Sequence, residues 1–198
     1  IGYQALPDTT FTGAGINYSG IISGSGRRAI AIGYQAATNL TSGSQNIYVG
    51  QCAGYSNVNS LNNIGIGYCA LACHTGNDWG GEWIFGNSIA IGANALKESS
   101  IGQNNIAIGA GSSCSMTIGT NNTAVGSYTG CSITSGHRNA ILGDGAGGGI
   151  STETDNTFLG NEAAYYALGS YNTVVGSRAF RSGLSPTSPP SGDSNVVI

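Results

Sequence analysis

Charge is what this sequence has least of. Of its 198 residues, 8% are charged, against about 25% in an average soluble domain. Six Lys and Arg stand against nine Asp and Glu, for a net charge of −3. A nucleic-acid partner calls for a basic face, and the only basic pair, Arg27-Arg28, reads as a solvated turn. No apolar run approaches the roughly 20 residues of a membrane span. Neither nucleic acid nor membrane insertion is therefore expected. Two His and nine scattered acids form no Ser/His/Asp order and no acid pair, so an enzyme is not expected either. The chain also lacks an initiating Met and a signal-peptide pattern. It opens and closes inside a repeated phrase, and reads as a segment of a longer chain.

Glycine, by contrast, is abundant at 34 residues, and 40% of residues are apolar. Disorder goes with low apolar content, so this composition points to packed structure. The apolar residues recur in one phrase. It appears as NNIAIGAGS at 104–112, NSIAIGANA at 87–95, YNTVVGSRA at 171–179 and RAIAIGYQA at 28–36. Repeats outrank single motifs in deciding a fold. The phrase glycine falls at Gly2, Gly33, Gly50, Gly67, Gly92, Gly109, Gly126, Gly143, Gly160 and Gly176. Six of the nine intervals equal the step from Gly109 to Gly126, which is seventeen. The two long intervals, Gly2 to Gly33 and Gly67 to Gly92, exceed that period by fourteen and eight. These excesses read as insertions into single turns.

Aligned on that glycine, the pattern is G-x-x-N-x-x-[IVL]-G-x-x-A. Asn stands four before the glycine at Asn46, Asn63, Asn105, Asn122, Asn139, Asn156, Asn172 and Asn195. Ile/Val pairs such as Ile106 and Ile108 alternate with a small residue, which is the period of a short strand with one bulky face. They are expected to form the buried stack. The glycines permit positive φ and sharp corners. The Asn residues suit corners or amide ladders between stacked turns. A turn of this period has no room for a helix and its return, but holds two or three short strands. The fold expected is all-β, a parallel β-helix or β-roll, forming one domain over residues 1–198 with surface insertions at about 7–28, 72–86 and 181–193.

Later turns carry apolar residues on both strand faces, as in Ile141 beside Leu142, Phe158 beside Leu159 and Val174 beside Val175. A single thin coil leaves one face wet, so a partner chain is expected, most simply in a homotrimer about the long axis.

The phrase N-x-A-I-G-x-x-A, as in Asn105-Ile106-Ala107-Ile108-Gly109 and Asn122-Thr123-Ala124-Val125-Gly126, resembles repeats of trimeric bacteriophage tail fibres. It is also similar to head repeats of trimeric autotransporter adhesins, whose repeat is usually shorter. The resemblance covers nearly the whole chain. It implies a trimeric, extracellular fibre shaft or host-contact head, with neighbouring fibre segments and a host-surface glycan or protein as partners.

Other motifs weigh less. Gly65-Ile66-Gly67-Tyr68-Cys69-Ala70 matches a dinucleotide fingerprint, but no helix pattern follows it and its glycines belong to the repeat, so no cofactor is expected. Cys52 and Cys69 stand one period apart, as do Cys114 and Cys131, so each pair should stack on adjacent turns. Reduced fillers, inter-turn disulfides and metal ligands all remain open for them. Cys73 and His74 lack a second ligand pair at zinc spacing. The insertion ACHTGNDWGGEWIFG at 72–86 holds both tryptophans, Trp79 and Trp83, beside His74, Asp78 and Glu82. With Tyr18 of the first insertion, these are the candidate receptor or glycan contacts. The alternative is that the tryptophans cap a flank of the rod. Thr123, Thr157 and Thr173 share a register with Ile106 and Ala140, which breaks the flat Thr ladder an ice-binding surface needs.

Overall fold

The computed structural model describes residues 19–24, 27–40, 43–75, 86–166, 169–181 and 192–198. They form a parallel β-solenoid with one coil per phrase and its strands in sequence order in a single sheet. The strands are β1 (Ser19–Gly24), β2 (Arg27–Ile32), β3 (Asn46–Val49), β4 (Ile64–Ile66), β5 (Ile89–Ile91), β6 (Ile106–Ile108), β7 (Thr123–Val125), β8 (Ala140–Leu142), β9 (Thr157–Leu159), β10 (Thr173–Val175) and β11 (Val196–Val197). From β2 onward every pairing is parallel and phrase-on-phrase: Ile106 sits on Thr123, Ala107 on Ala124 and Ile108 on Val125. The insertions leave this register intact, since Ile64 pairs with Ile89 across the long interval.

The coil differs from expectation in holding one strand, not two or three. The rest is cornered backbone with left-handed residues at fixed places. In the coil around β6 these are Asn104 (φ 56), Gly111 (φ 65) and Ser113 (φ 47), with Gly109 at φ 131. A left-handed non-glycine residue costs roughly 1–2 kcal/mol. The cost is offset because these residues turn their amides toward neighbouring coils. Gly111 N–H donates to Ala93 O on the coil before at 2.8 Å, and Ser113 N–H to Thr129 O on the coil after at 2.9 Å. The corners are thus hydrogen-bonded like the strands. At the phrase glycine itself only glycine fits: a Cβ on Gly109 would lie 2.3 Å from the Gly126 carbonyl oxygen.

The interior is narrow, and the central residue of each strand fills it. Ala90, Ala107, Ala124, Ile141, Phe158 and Val174 are all buried there. In four coils the residue four after the phrase glycine compensates in size. Gly65 and Ala90 stand in coils with buried Leu71 and Leu96. Tyr48 and Ile141 stand in coils with Gly54 and Gly147, whose added Cβ atoms would lie 2.5 Å from the Tyr48 ring and 3.1 Å from Ile141 Cδ1. In the coil of Ala124 and Gly130 the Ile133 side chain takes up the space instead, so the interior stays close-packed.

The Ile/Val pairs therefore do not form the buried stack. Ile66, Ile91 and Ile108 point outward and are 36–37% exposed, and Leu142 and Leu159 reach 47% and 43%. Side chains alternate along a strand, and the buried Asn four before the glycine has the same parity as the central residue. With Asn105 inside, Ala107 must be inside and Ile106 and Ile108 outside.

Two insertions are narrower than expected. Ser19–Gly24, placed in a surface loop by the sequence, is a strand paired antiparallel with β2, Ile21 opposite Ile30. It covers the sheet edge whose hydrogen-bonding groups would otherwise be unpaired. Residues 72–75 still follow the coil, for Cys73 N–H donates to Lys97 O at 2.9 Å and Thr75 N–H to Ser100 O at 3.1 Å.

Candidate functional site

An Asn ladder gives the sheet its parity. Asn46, Asn63, Asn105, Asn122, Asn139, Asn156 and Asn172 are buried to 0–1% exposure. Each side-chain oxygen accepts the backbone N–H of the equivalent residue one coil on: Asn122 to Asn105 at 2.9 Å, Asn139 to Asn122 at 3.0 Å, Asn156 to Asn139 at 3.1 Å and Asn172 to Asn156 at 2.9 Å. The Nδ2 groups of Asn46, Asn105, Asn122 and Asn139 donate sideways to corner carbonyls, as from Asn122 to Gly136 O at 2.8 Å, while that of Asn172 is buried without a partner among the described residues. Ser88 takes the Asn place in its coil, accepting Asn105 N–H at its hydroxyl at 3.2 Å. Buried amides need such partners.

Because the Asn column faces in, the flanking aliphatic columns face out. From β3 to β10 neither outward column carries a charged residue. The column before the phrase glycine stays aliphatic throughout, from Val49 to Val175, while the other changes from Ile to Thr and Ala after β6. A polar border runs beside it, where Asn62 Nδ2 donates to Asn87 Oδ1 and Asn87 Nδ2 to Asn104 Oδ1, each at 3.2 Å. Further along, Arg138 grips Asp155 with two bonds of 2.7 Å. That contact holds the Asp155 carboxyl below its ordinary value. An apolar stripe with a polar rim has the anatomy of an interface.

The opposite, cornered flank carries a groove of about 350 Å³ lined by Asn94, Lys97, Glu98, Gly111, Cys114 and Tyr128, among others. Tyr128 is 61% exposed. Its ring lies across the preceding coil at Gly111, where an added Cβ would come within 2.8 Å of it. Lys97 Nζ sits 3.2 Å from Glu98 Oε1 on the groove wall. Nothing in the sequence pattern marks this groove, since its residues come from three successive coils and only the register assembles them.

Of the expected contact residues, His74 is in the wrong environment for surface recognition. It is fully buried, in the interior column that Met116, Ile133 and Ile150 occupy in later coils. Its Nδ1 is 3.5 Å from Ser99 Oγ, and burial lowers its pKa to about 4. Beside it lies a buried polar cluster in which Asn57 Nδ2 donates to the Tyr48 hydroxyl and, at 2.6 Å, to Ser60 Oγ. Burial drives the Tyr48 hydroxyl pKa well up. Tyr18, Asp78, Trp79, Glu82 and Trp83 lie outside the described residues. His137 occupies a corner, its Nδ1 accepting Thr120 N–H at 3.0 Å.

All five cysteines are free and half-buried. Cys114 donates to Cys131 O at 3.8 Å and Cys131 to Gly148 O at 4.0 Å, both thiols directed up the stack. Among the described residues no group of three or more His, Cys, Asp or Glu is placed to hold a metal ion, and no helix is long and apolar enough to cross a membrane.

Compared with known proteins, the chain matches no family model, no curated protein and no solved structure.

Proposed function

We propose that this chain is a structural segment of a trimeric extracellular fibre, a shaft or near-tip region of a viral tail fibre. The observation that carries the reading is the uncharged aliphatic face running along the sheet. In an isolated chain it would stay in water, and a parallel copy brings an identical stripe in the same register. The resemblance of the repeat phrase to tail-fibre repeats supports the same reading, as does a coil hydrogen-bonded to its neighbours at every corner. The work of such a segment is reach and presentation, with host contact at its flanks. Light scattering on the purified chain tests the assembly. Three chain masses at micromolar concentration are expected, and a stable monomer overturns the trimer.

A second reading is contact with a cell-surface saccharide, as in an adhesin. The groove beside Tyr128 favours it. An exposed ring offers a stacking platform, while Asn94, Lys97 and Glu98 supply donors and acceptors for hydroxyl groups. The groove borders the aliphatic face, since its lining residues Ala93 and Ala110 stand two residues after Ile91 and Ile108. Binding on a glycan array that Tyr128→Ala abolishes supports this reading, and binding indifferent to that change excludes the groove.

A further inference from the structure

Two cysteine pairs share the one-period spacing but not the same surroundings. Strands β3 and β4 pair Ile47 with Ile64, so Cys52 and Cys69, each five residues further on, lie one directly above the other. Cys69 N–H donates to Gln51 O at 2.9 Å, and Gly54 N–H to Ala70 O at 2.9 Å. These bonds bracket the pair and hold its backbones at the coil spacing of about 4.8 Å. That lies inside the Cα range a disulfide accepts, about 4.4–6.8 Å. Both residues adopt the same left-handed conformation, φ 57 and 53, so their Cβ atoms leave the backbone in the same direction. The Cys52 thiol donates to Gln35 Oε1 on the preceding coil at 3.6 Å, a bond it gives up by rotating about χ1 toward Cys69. Burial and then the adjacent Cys69 thiol raise its pKa. The second pair differs in its acceptors, since the Cys114 and Cys131 thiols donate to fixed backbone carbonyls of the following coils, whereas the Cys52 acceptor is a side chain.

We propose that Cys52 and Cys69 are a cross-linking site, forming a disulfide between consecutive coils when the chain meets a small-molecule disulfide oxidant. The covalent ring encloses one whole coil at an outer corner. The chemistry is two exchanges. The thiolate of one cysteine attacks a sulfur of oxidised glutathione, forming a mixed disulfide and releasing one reduced glutathione. The neighbouring thiolate then attacks the protein-side sulfur, forming the Cys52–Cys69 bond and releasing the second. Two electrons pass from the cysteine pair to the oxidant, and the two thiol protons end on the released glutathiones. Parallel Cβ vectors leave the Cβ atoms about 1 Å beyond the usual disulfide separation of about 3.8 Å. Closure therefore draws two corners together, and the bond is one that mild thiols reopen.

The test uses the whole chain, folded, equilibrated with oxidised glutathione, then alkylated and mapped by peptide mass spectrometry. The expected result is loss of two of the five thiols, a peptide joining Cys52 to Cys69, and full alkylation of Cys73, Cys114 and Cys131. The oxidised protein also melts several degrees higher, and a low concentration of reduced glutathione reverses both changes. Cys69→Ser should leave Cys52 as a stable glutathione adduct. Alkylation of all five thiols overturns the proposal. So do persistent adducts on the wild type, a Cys69–Cys73 or Cys114–Cys131 link, or a link between chains. The outcome is independent of the fibre reading, because a monomer and a trimer both carry the pair within one chain.

Discussion

Asn122 makes two bonds to one atom of Asn105, its backbone N–H at 2.9 Å and its side-chain Nδ2 at 3.2 Å from Asn105 Oδ1. Its own Oδ1 repeats both bonds to Asn139, at 3.0 Å each. Asn122→Ala therefore deletes an acceptor for two groups of the next coil and strands a buried backbone N–H. Leaving a buried partner unsatisfied costs about 1–3 kcal/mol, and two such groups bring the expected loss to about 2–6 kcal/mol. Urea unfolding of the variant measures it. A loss below 1 kcal/mol, roughly one ordinary net hydrogen bond, would mean the ladder contributes little.

The strand faces give a paired test. Ala107 is buried and lies between Ala90 and Ala124 in the stack, while Ile108 is 36% exposed. Ala107→Leu forces extra volume into a close-packed interior and should destabilise the chain by about 1–3 kcal/mol. Ile108→Lys should leave the fold of the single chain nearly intact, since surface changes are usually within about 0.5 kcal/mol. It should nevertheless lower the mass in solution to that of one chain. Thermal unfolding and light scattering read the two effects separately. A trimer that survives Ile108→Lys places the chain interface elsewhere.

This inversion shows how much was legible in the sequence. The period, the parallel register and the phrase-on-phrase stacking followed from spacing alone, because in-register coils must repeat at fixed intervals. The face assignment inverts because bulk is no sign of burial in an interior this narrow. The deciding residue is Asn105. Its amide can satisfy a buried ladder only from inside, and strand alternation then puts Ala107 inside as well. The number of strands per coil was not legible. Left-handed corners fall on Leu96, Tyr128 and Arg138, residue types that carry no turn signal. Their conformation is imposed by hydrogen bonds to neighbouring coils. The groove at Tyr128 was hidden for a related reason, since its walls meet only once the coils are stacked.

The coil glycines separate steric from conformational cost. Gly109 and Gly111 both adopt positive φ, 131 and 65. An added Cβ on Gly109 would be 2.3 Å from the Gly126 carbonyl oxygen, whereas on Gly111 its nearest neighbour would be the Tyr128 ring at 2.8 Å, an exposed side chain that can swing aside. Gly111→Ala should cost about 1–2 kcal/mol, the conformational penalty alone. Gly109→Ala should cost several kcal/mol more, because a backbone must move. Equal melting temperatures for the two variants would show that the stack yields at Gly126.

The buried His74 predicts a window of acid sensitivity. Its folded pKa is about 4, against an ordinary value of 6.5. The unfolded chain therefore takes up a proton that the folded chain refuses between these values, and stability falls as pH drops through that window. A difference of that size corresponds to a loss of about 3 kcal/mol, complete by about pH 4. Asp155 acts below it. Its folded carboxyl is depressed by Arg138 from an ordinary 3.8, so its contribution is present above that value and is lost only as pH falls further. The two windows barely overlap. His74→Met should flatten the decline between pH 6.5 and 4, since Met116 fills the same interior column two coils later, beyond Ser99. Denaturant midpoints at half-unit pH steps check this, and a variant whose decline matches that of the parent would assign the acid sensitivity to another group.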